Sequence, residues 1–274
     1  MELSNTYEEL TERTLGPHGG LMANNLNSIL QMENDSEFED DDEILFKLSQ
    51  YFDDQTIKNF CEKNNNGLNF MSLNGESVFK KIDMIRQKIT FLAKKYNFII
   101  HVISIQEGWI TEGRPLSQIE IDNYKLHPQL NQIGGQKGGI AVYVHNSLQG
   151  EPIKYFEKSP SSLWEGFSLK LTGEILKNPI NVHTVYRPPR EKKRRLDDHY
   201  PEKTNHEIFM EEFEPCLSKI KQDNTDSVLL GDLNYDLIET NTNHMCQEYL
   251  DSMISNGFIP KITLPTKINR YSCK

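Results

Sequence analysis

Apolar positions along the chain switch between two periods. From residue 68 onward, short apolar runs alternate with longer stretches in which apolar residues recur every three or four positions. Residues 68–73 read as a strand. Residues 78–96 place Ile82, Ile85, Ile89 and Leu92 at helical spacing, which predicts an amphipathic helix. Residues 98–105, FIIHVISI, are apolar throughout, the pattern of a buried strand. A turn, GGQKGG at 134–139, feeds a strand at 140–144, and strands are predicted at 163–171 and 180–186. A helix at 206–222 leads into SVLLGDLNYDL at 227–237, and another helix is predicted at 244–256. Val228, Leu229 and Leu230 have the look of a central strand, with Gly231 permitting a sharp turn after it. This alternation predicts an α/β domain with mixed sheets.

The first 66 residues differ. MENDSEFEDDDE, 32–43, cannot supply a core, so disorder is expected there. Residues 44–63 carry Ile44, Leu45, Leu48, Phe52, Ile57 and Phe60 at helical spacing, compatible with one or two short helices, docked or free. The NNNG cluster at 64–67 marks the expected boundary between an acidic extension (1–66) and the main domain (67–274).

Charge sharpens that division. The net charge of −10 suggests poor affinity for polyanions. Yet 15 acids and 4 bases fall within residues 1–66, leaving 25 acids and 26 bases for the rest. The main domain is thus free to meet a polyanion through local basic patches. No apolar run approaches the roughly 20 residues of a membrane helix, and the N-terminus lacks a signal-peptide pattern. The four cysteines are scattered without metal spacing, which fits free thiols in the cytosol or nucleus.

Chemistry concentrates where predicted strands end. Four of them deliver Asn74, Glu107, Tyr186-Arg187 and Asp232-x-Asn234. A lone Glu after a strand is usually a surface residue. Four polar groups at equivalent ends are a different matter, because strand ends of α/β sheets converge in space. These residue types suit metal-assisted phosphodiester hydrolysis. Glu107 and the Asn74 carbonyl oxygen can hold Mg²⁺, a hard ion that takes oxygen ligands, or Mn²⁺. Asp232 can orient or deprotonate a water. Asn234 and the Tyr186 hydroxyl can donate to charge developing on phosphate. Downstream, REKKRR at 190–195 brings Arg190, Lys192 and Lys193 beside the proposed site, as contacts to a DNA backbone. Trp109 and Trp164 are expected to pack rather than stack on bases, and His183 to lie in the core or on a sheet face.

Several motifs occur together and in order. They are Asn74-x-x-Ser77 with Lys81-Ile82-Asp83, Gln106-Glu107-x-Trp109, GGQKGGIAVYV, Val185-Tyr186-Arg187-Pro188-Pro189, Gly231-Asp232-Leu233-Asn234-x-Asp236, and Pro265-Thr266-Lys267 with Arg270-x-Ser272. From about residue 68 to 274 the chain resembles the endonuclease/exonuclease/phosphatase superfamily. Within it, the resemblance is to the apurinic-like endonuclease domain of LINE-type (non-LTR) retrotransposons. The resemblance implies a four-layer α/β sandwich, two mixed sheets flanked by helices, that nicks DNA with Mg²⁺ so that the nick primes reverse transcription. It further implies phosphate contacts from Arg187 and Ser272, a supporting place for Asp236 behind Asp232 and Asn234, and a reverse transcriptase in the full element. After Ser272 the family continues into a strand bearing an Asp-His pair. None of the eight histidines lies there, so the expectation is a domain without its last strand and with weak or no activity. Two other readings stay open: a phosphatase or phosphodiesterase of the same superfamily acting on a lipid or small phosphoester, and a catalytically dead DNA-binding remnant.

Overall fold

Two parallel strands need a crossover between them, and the amphipathic segment after the first strand supplies it. A computed structural model describes residues 54–133, 137–156, 159–189, 203–237 and 242–261. All but Lys261 belong to one unit, Gln50–Pro260. The acid-rich run, the 134–136 turn, Arg190–Arg195 and 262–274 lie outside the described residues.

Helix α1 spans Asp54–Asn64, followed by β1 (Phe70–Asn74), the crossover helix α2 (Val78–Tyr96) and β2 (Val102–Gln106). Strands β3 (Tyr124–Gln129) and β4 (Ile140–His145) complete a sheet in the order β1-β2-β4-β3, with β1 and β2 parallel and the other pairs antiparallel. The second sheet comprises β5 (Gln149–Ile153), β6 (Glu165–Thr172), β7 (Ile180–Tyr186) and β8 (Ser227–Asp232), in that order. There β7 and β8 are parallel, joined through helix α3 (Asn205–Asp223). Helix α4 (His244–Ser255) follows.

The two sheets face each other across Val102, Ile140, Val142, Val144, Leu169, Leu171 and Val182, all nearly inaccessible to water. On the outer face of the first sheet, α2 buries Val78, Ile82, Ile85 and Ile89 against Ile103, Ile105, Ala141 and Tyr143. Each such side chain contributes about 1.5–3 kcal/mol on burial. On the outer face of the second, α3 and α4 bring Phe209, Phe213, Leu217, Ile220, Tyr249 and Met253 against Val185 and Trp164. The result is the expected four-layer sandwich, helix on sheet on sheet on helix. A capping box starts α3: Thr204 Oγ1 accepts from the Glu207 amide at 3.2 Å, and the Glu207 carboxylate accepts from the Thr204 amide at 2.6 Å.

Three features depart from the pattern reading. Strands β3 and β5 were not anticipated. Their sequences, YKLHPQ and QGEPI, are poor in β-formers and each contains a proline. Both are edge strands, the one place in a sheet where a missing amide donor is tolerated. Strand β8 is not central but last in its sheet among the described residues, and only half-buried. Gly231 does not make a turn; it lies within β8, and a Cβ there would sit 2.0 Å from the Val185 carbonyl oxygen of β7. It is the close approach of two backbones, rather than a bend, that demands glycine.

Of the docked and free alternatives for the segment before residue 66, helix α1 is docked. Cys61 is 1% exposed, and Ile57 and Phe60 pack on the α2 layer, Phe60 against Phe98 at 5.8 Å between ring centroids. Cys61 is a buried free thiol. No helix among the described residues is long and apolar enough to cross a membrane.

Candidate active site at the paired strand ends

Both parallel pairs stop at the same end of the sandwich. The last rung of β1 and β2 is Asn74 opposite Gln106; the last rung of β7 and β8 is Tyr186 opposite Asp232. Asn74 joins them. Its Nδ2 donates to Glu107 Oε1 at 2.9 Å and to Asp232 Oδ2 at 2.7 Å. Two carboxylates from different sheets thus lie within two hydrogen-bond lengths of one another. This arrangement reverses the expected orientation of Asn74. Its amide turns the donor end towards the two negative groups, while Oδ1 accepts from the Glu76 amide at 3.3 Å.

Glu107 owes its position to the backbone. Past the end of β1, Gly75 N donates to Gln106 O at 2.7 Å, Ser77 N to Glu107 O at 2.9 Å and Val78 N to Gly108 O at 3.1 Å. On the other side, Gly108 N donates to Gly139 O at 2.8 Å and Trp109 N to Gly138 O at 2.7 Å. Stitched along both edges, the segment turns through left-handed conformations at Glu107 (φ 49°) and Trp109 (φ 54°). Glu76 and Ser77 also have positive φ, 40° and 84°. Such residues cost of order 1–3 kcal/mol each and persist where the surroundings over-determine them, commonly at functional sites. Glu107 itself is 8% exposed.

Tyr186 is wholly buried, and its hydroxyl meets no hydrogen-bond partner. Burial drives its pKa far above the usual phenol value. The Glu107 carboxylate beside it adds to this, though the two do not meet at hydrogen-bonding geometry, and the charges of Asp232 and Glu165 add further. The group therefore remains an O–H donor at neutral pH. A buried polar group left unpaired typically costs about 1–3 kcal/mol, and such a group invites a ligand.

Asp232, half-buried, begins an Asx-type turn: its Oδ1 accepts from the Asn234 amide at 3.2 Å, with Asn234 at φ 53°. Asn234 was expected to face phosphate. One of its amide hydrogens instead goes to the Arg187 carbonyl at 2.7 Å, tying the loops after β7 and β8 together. Arg187 requires a clearer correction. It is 6% exposed; Nη1 donates to the Leu233 carbonyl at 3.1 Å, and the guanidinium lies 4.3 Å from the Tyr235 ring centroid and 5.0 Å from that of Phe209. A planar cation stacks well on aromatic faces, and here that stacking turns Arg187 inward, leaving it 6% exposed. Asp236 is exposed further along the same loop. Arg190, Lys192, Lys193 and Ser272 lie outside the described residues. His183 is a buried core residue, its Nδ1 paired with Ser168 Oγ at 2.8 Å. Trp164 packs as expected, its Nε1 donating to Glu212 at 2.9 Å.

The donor set fits a hard divalent cation. Among the described residues no cluster of three or more His, Cys, Asp or Glu could enclose a metal. Two carboxylates are nevertheless the sparse oxygen set that Mg²⁺ accepts, because it keeps several of its waters; the Asn74 amide, which faces them with its N–H groups, adds an oxygen only on rotation.

Pattern reading missed the groups beneath this surface. Ser104 Oγ of β2 and Thr184 Oγ1 of β7 meet at 2.9 Å between the sheets, and Ser104 also accepts from Gln106 Nε2 at 2.7 Å. Glu165, fully buried, accepts from three backbone amides. No spacing marks any of these, although a charged residue directly after Trp164 at the start of an apolar strand was a usable hint.

No family model matches the chain, and no characterised protein matches its sequence. Solved structures do match. The AP endonuclease LMAP from Leishmania major aligns with TM-score 0.51 at 12% identity, covering 80% of this chain and 75% of that one. The likeness is one of fold: the two chains share a layered α/β sandwich. Two further structures align at TM-scores too low to carry weight. One is an endonuclease/exonuclease/phosphatase family protein from Bacteroides thetaiotaomicron (0.44, 14% identity, 69% of each chain), and the other is the human Nocturnin catalytic domain (0.43, 11% identity, 68% of this chain and 69% of that one). At 12% identity the likeness to LMAP speaks for the fold and not for a substrate.

Proposed function

We propose that this chain is a divalent-metal-dependent phosphodiester hydrolase that nicks DNA, of the LINE-type endonuclease class. The observation that supports it most is the bridge at Asn74, which gathers Glu107 and Asp232 around one amide beside an unpaired, buried Tyr186 hydroxyl. The LINE-type assignment rests on the ordered motifs from Asn74 to Asp236.

In this mechanism the Glu107 carboxylate would hold the cation, Mg²⁺ or Mn²⁺, and Asn74 would join it through Oδ1 once its side-chain amide rotates away from the two carboxylates. When bound, it polarises a phosphoryl oxygen and offsets charge there. Asp232 accepts a proton from the attacking water as that water bonds to phosphorus; the P–O bond on the opposite side breaks, and the departing sugar oxygen takes a proton from solvent. Tyr186, kept protonated by burial and by the neighbouring carboxylates, donates to a non-bridging oxygen as charge develops. The remaining amide hydrogen of Asn234 can make a second such bond. Before a cation binds, Asn74 Nδ2 keeps the two carboxylates at a fixed separation.

The test is conversion of supercoiled plasmid to the open-circular form. The expected result is nicking that requires Mg²⁺ or Mn²⁺, is stopped by a chelator, and is lost in Glu107→Gln. Hydrolysis of a small aryl phosphate with no action on plasmid would replace the nuclease reading by a phosphatase one.

A further inference from the structure

The loop that fixes Glu107 is itself held by a second carboxylate, which the mechanism above does not use. Glu165 opens β6 and pairs with Tyr186 in the ladder. It is 0% exposed. Its Oε1 accepts from the amides of Gln132 and, at 3.2 Å, Ile133; its Oε2 accepts from the amide of Gly139 at 2.7 Å. Gly139 has φ +81°, and a Cβ there would lie 2.8 Å from the Ile110 amide nitrogen, so this turn is tightly defined. The same Gly139 accepts the Gly108 amide through its carbonyl, and Gly138 accepts that of Trp109. These two amides directly follow Glu107. One peptide therefore receives the Glu165 carboxylate at its N–H and steadies the Glu107 segment at its C=O.

We infer that Glu165 is a positioning residue: through Gly139 it holds the Gly108–Trp109 segment, and so keeps Glu107 in its left-handed conformation with the carboxylate aimed at Asn74. The inference rests on the proposed metal site for its functional consequence, but not for its structural one. A buried carboxylate is a costly choice for a purely structural brace. Three amide donors offset that cost, and a charged acceptor makes each of those bonds stronger than a neutral one. Supporting groups of this kind, one shell removed from a metal ligand, typically alter metal affinity by 10–100-fold when changed.

Glu165→Gln separates the two halves of this arrangement. The Gln oxygen retains the Gln132 and Ile133 bonds, whereas its NH₂ meets the Gly139 amide donor to donor. Glu212 supplies a matched control. Its carboxylate accepts from Ser159 Oγ, Ser161 N and Oγ and Trp164 Nε1, a comparable set of bonds that does not reach the Gly138–Gly139 turn. The experiment titrates the full chain with Mn²⁺, following free ion by electron paramagnetic resonance, and measures amide hydrogen exchange. Both variants should lower Tm by a similar amount. Only Glu165→Gln should raise half-saturating Mn²⁺ about tenfold, and only it should accelerate exchange at Gly108 and Trp109. Unchanged exchange at those two amides, or an equal loss of Mn²⁺ affinity in Glu212→Gln, overturns the inference. If wild-type chain binds no Mn²⁺ while Glu165→Gln still loosens Gly108 and Trp109, the positioning role stands and the metal-dependent function falls.

Discussion

The two sheets are built to the same plan and secure their carboxylates by different means. Each has a parallel pair at one edge followed by two antiparallel strands, and the orders β1-β2-β4-β3 and β8-β7-β6-β5 correspond. Each parallel pair ends in one half of the site. In the first sheet the carboxylate follows β2, an interior strand buried along its whole length, and backbone bonds on both sides force Glu107 into a strained conformation. In the second, Asp232 ends β8, an exposed-edge strand in the described residues, and side chains do the holding: Asn74, the Asx turn to Asn234, and the Arg187–Tyr235 stack. A metal ligand tolerates little displacement, whereas a base that must release and regain a proton gains from partial exposure. The division of support matches the roles proposed for Glu107 and Asp232.

The most severe way to break the comparison is to remove each carboxylate in turn. Asp232→Ala should lower nicking by about 10²–10⁴-fold, the usual range for a general base. Its Tm should scarcely change, because the side chain is half-exposed and at a strand end. A drop in Tm as large as that of a core substitution would show Asp232 to be a structural residue. Next comes Gly231→Ala, which leaves the carboxylates alone and attacks the β7–β8 pairing. With the Cβ 2.0 Å from the Val185 carbonyl, the strands must part. A destabilisation at the upper end of the overpacking range, about 3 kcal/mol, is expected in chemical denaturation. A loss below about 0.5 kcal/mol, as for an ordinary surface position, would mean that the edge strand adapts freely.

Tyr186→Phe should separate stability from activity. It deletes a buried hydroxyl that has no partner, so Tm should hold or rise slightly, while kcat falls by roughly 10²-fold through loss of one donor to the developing charge. A falling Tm together with unchanged kcat would give the hydroxyl a structural role instead.

The smallest expected effect concerns acid. His183, buried in the second sheet, has its pKa lowered from 6.5 to about 4 by burial. Between those values the unfolded chain binds a proton that the folded one does not. Stability is therefore full above about pH 6.5 and declines as pH falls towards 4. The pKa values of His101, His127 and His145 are also lowered, each chiefly by burial, so they act in the same direction. Tm measured from pH 7 to pH 5 should fall, and His183→Gln should flatten the slope without abolishing it; identical slopes would contradict this placement.

How much of this was legible in the sequence divides along physical lines. Interior strands and crossover helices declare themselves, because their apolar positions are dictated by two buried faces or one. The strand-end placement of Asn74, Glu107, Tyr186 and Asp232 could be read from the alternation alone. Edge strands β3 and β5 could not, since an edge strand has less to bury and tolerates proline. The inward turn of Arg187 was hidden because its partners, Phe209 and Tyr235, lie 22 and 48 positions away. Glu165 was hidden for the same kind of reason: backbone amides are its partners, and they leave no trace in a pattern of side chains.

The central claim is that the two strand-pair ends make one cation site. It is tested most directly by diffraction from crystals of the chain soaked in Mn²⁺, with the anomalous signal located. The account predicts a single strong peak beside Glu107, within reach of Asn74 and next to Asp232, which disappears in Glu107→Gln. A peak elsewhere on the protein, or none at saturating Mn²⁺, would contradict it.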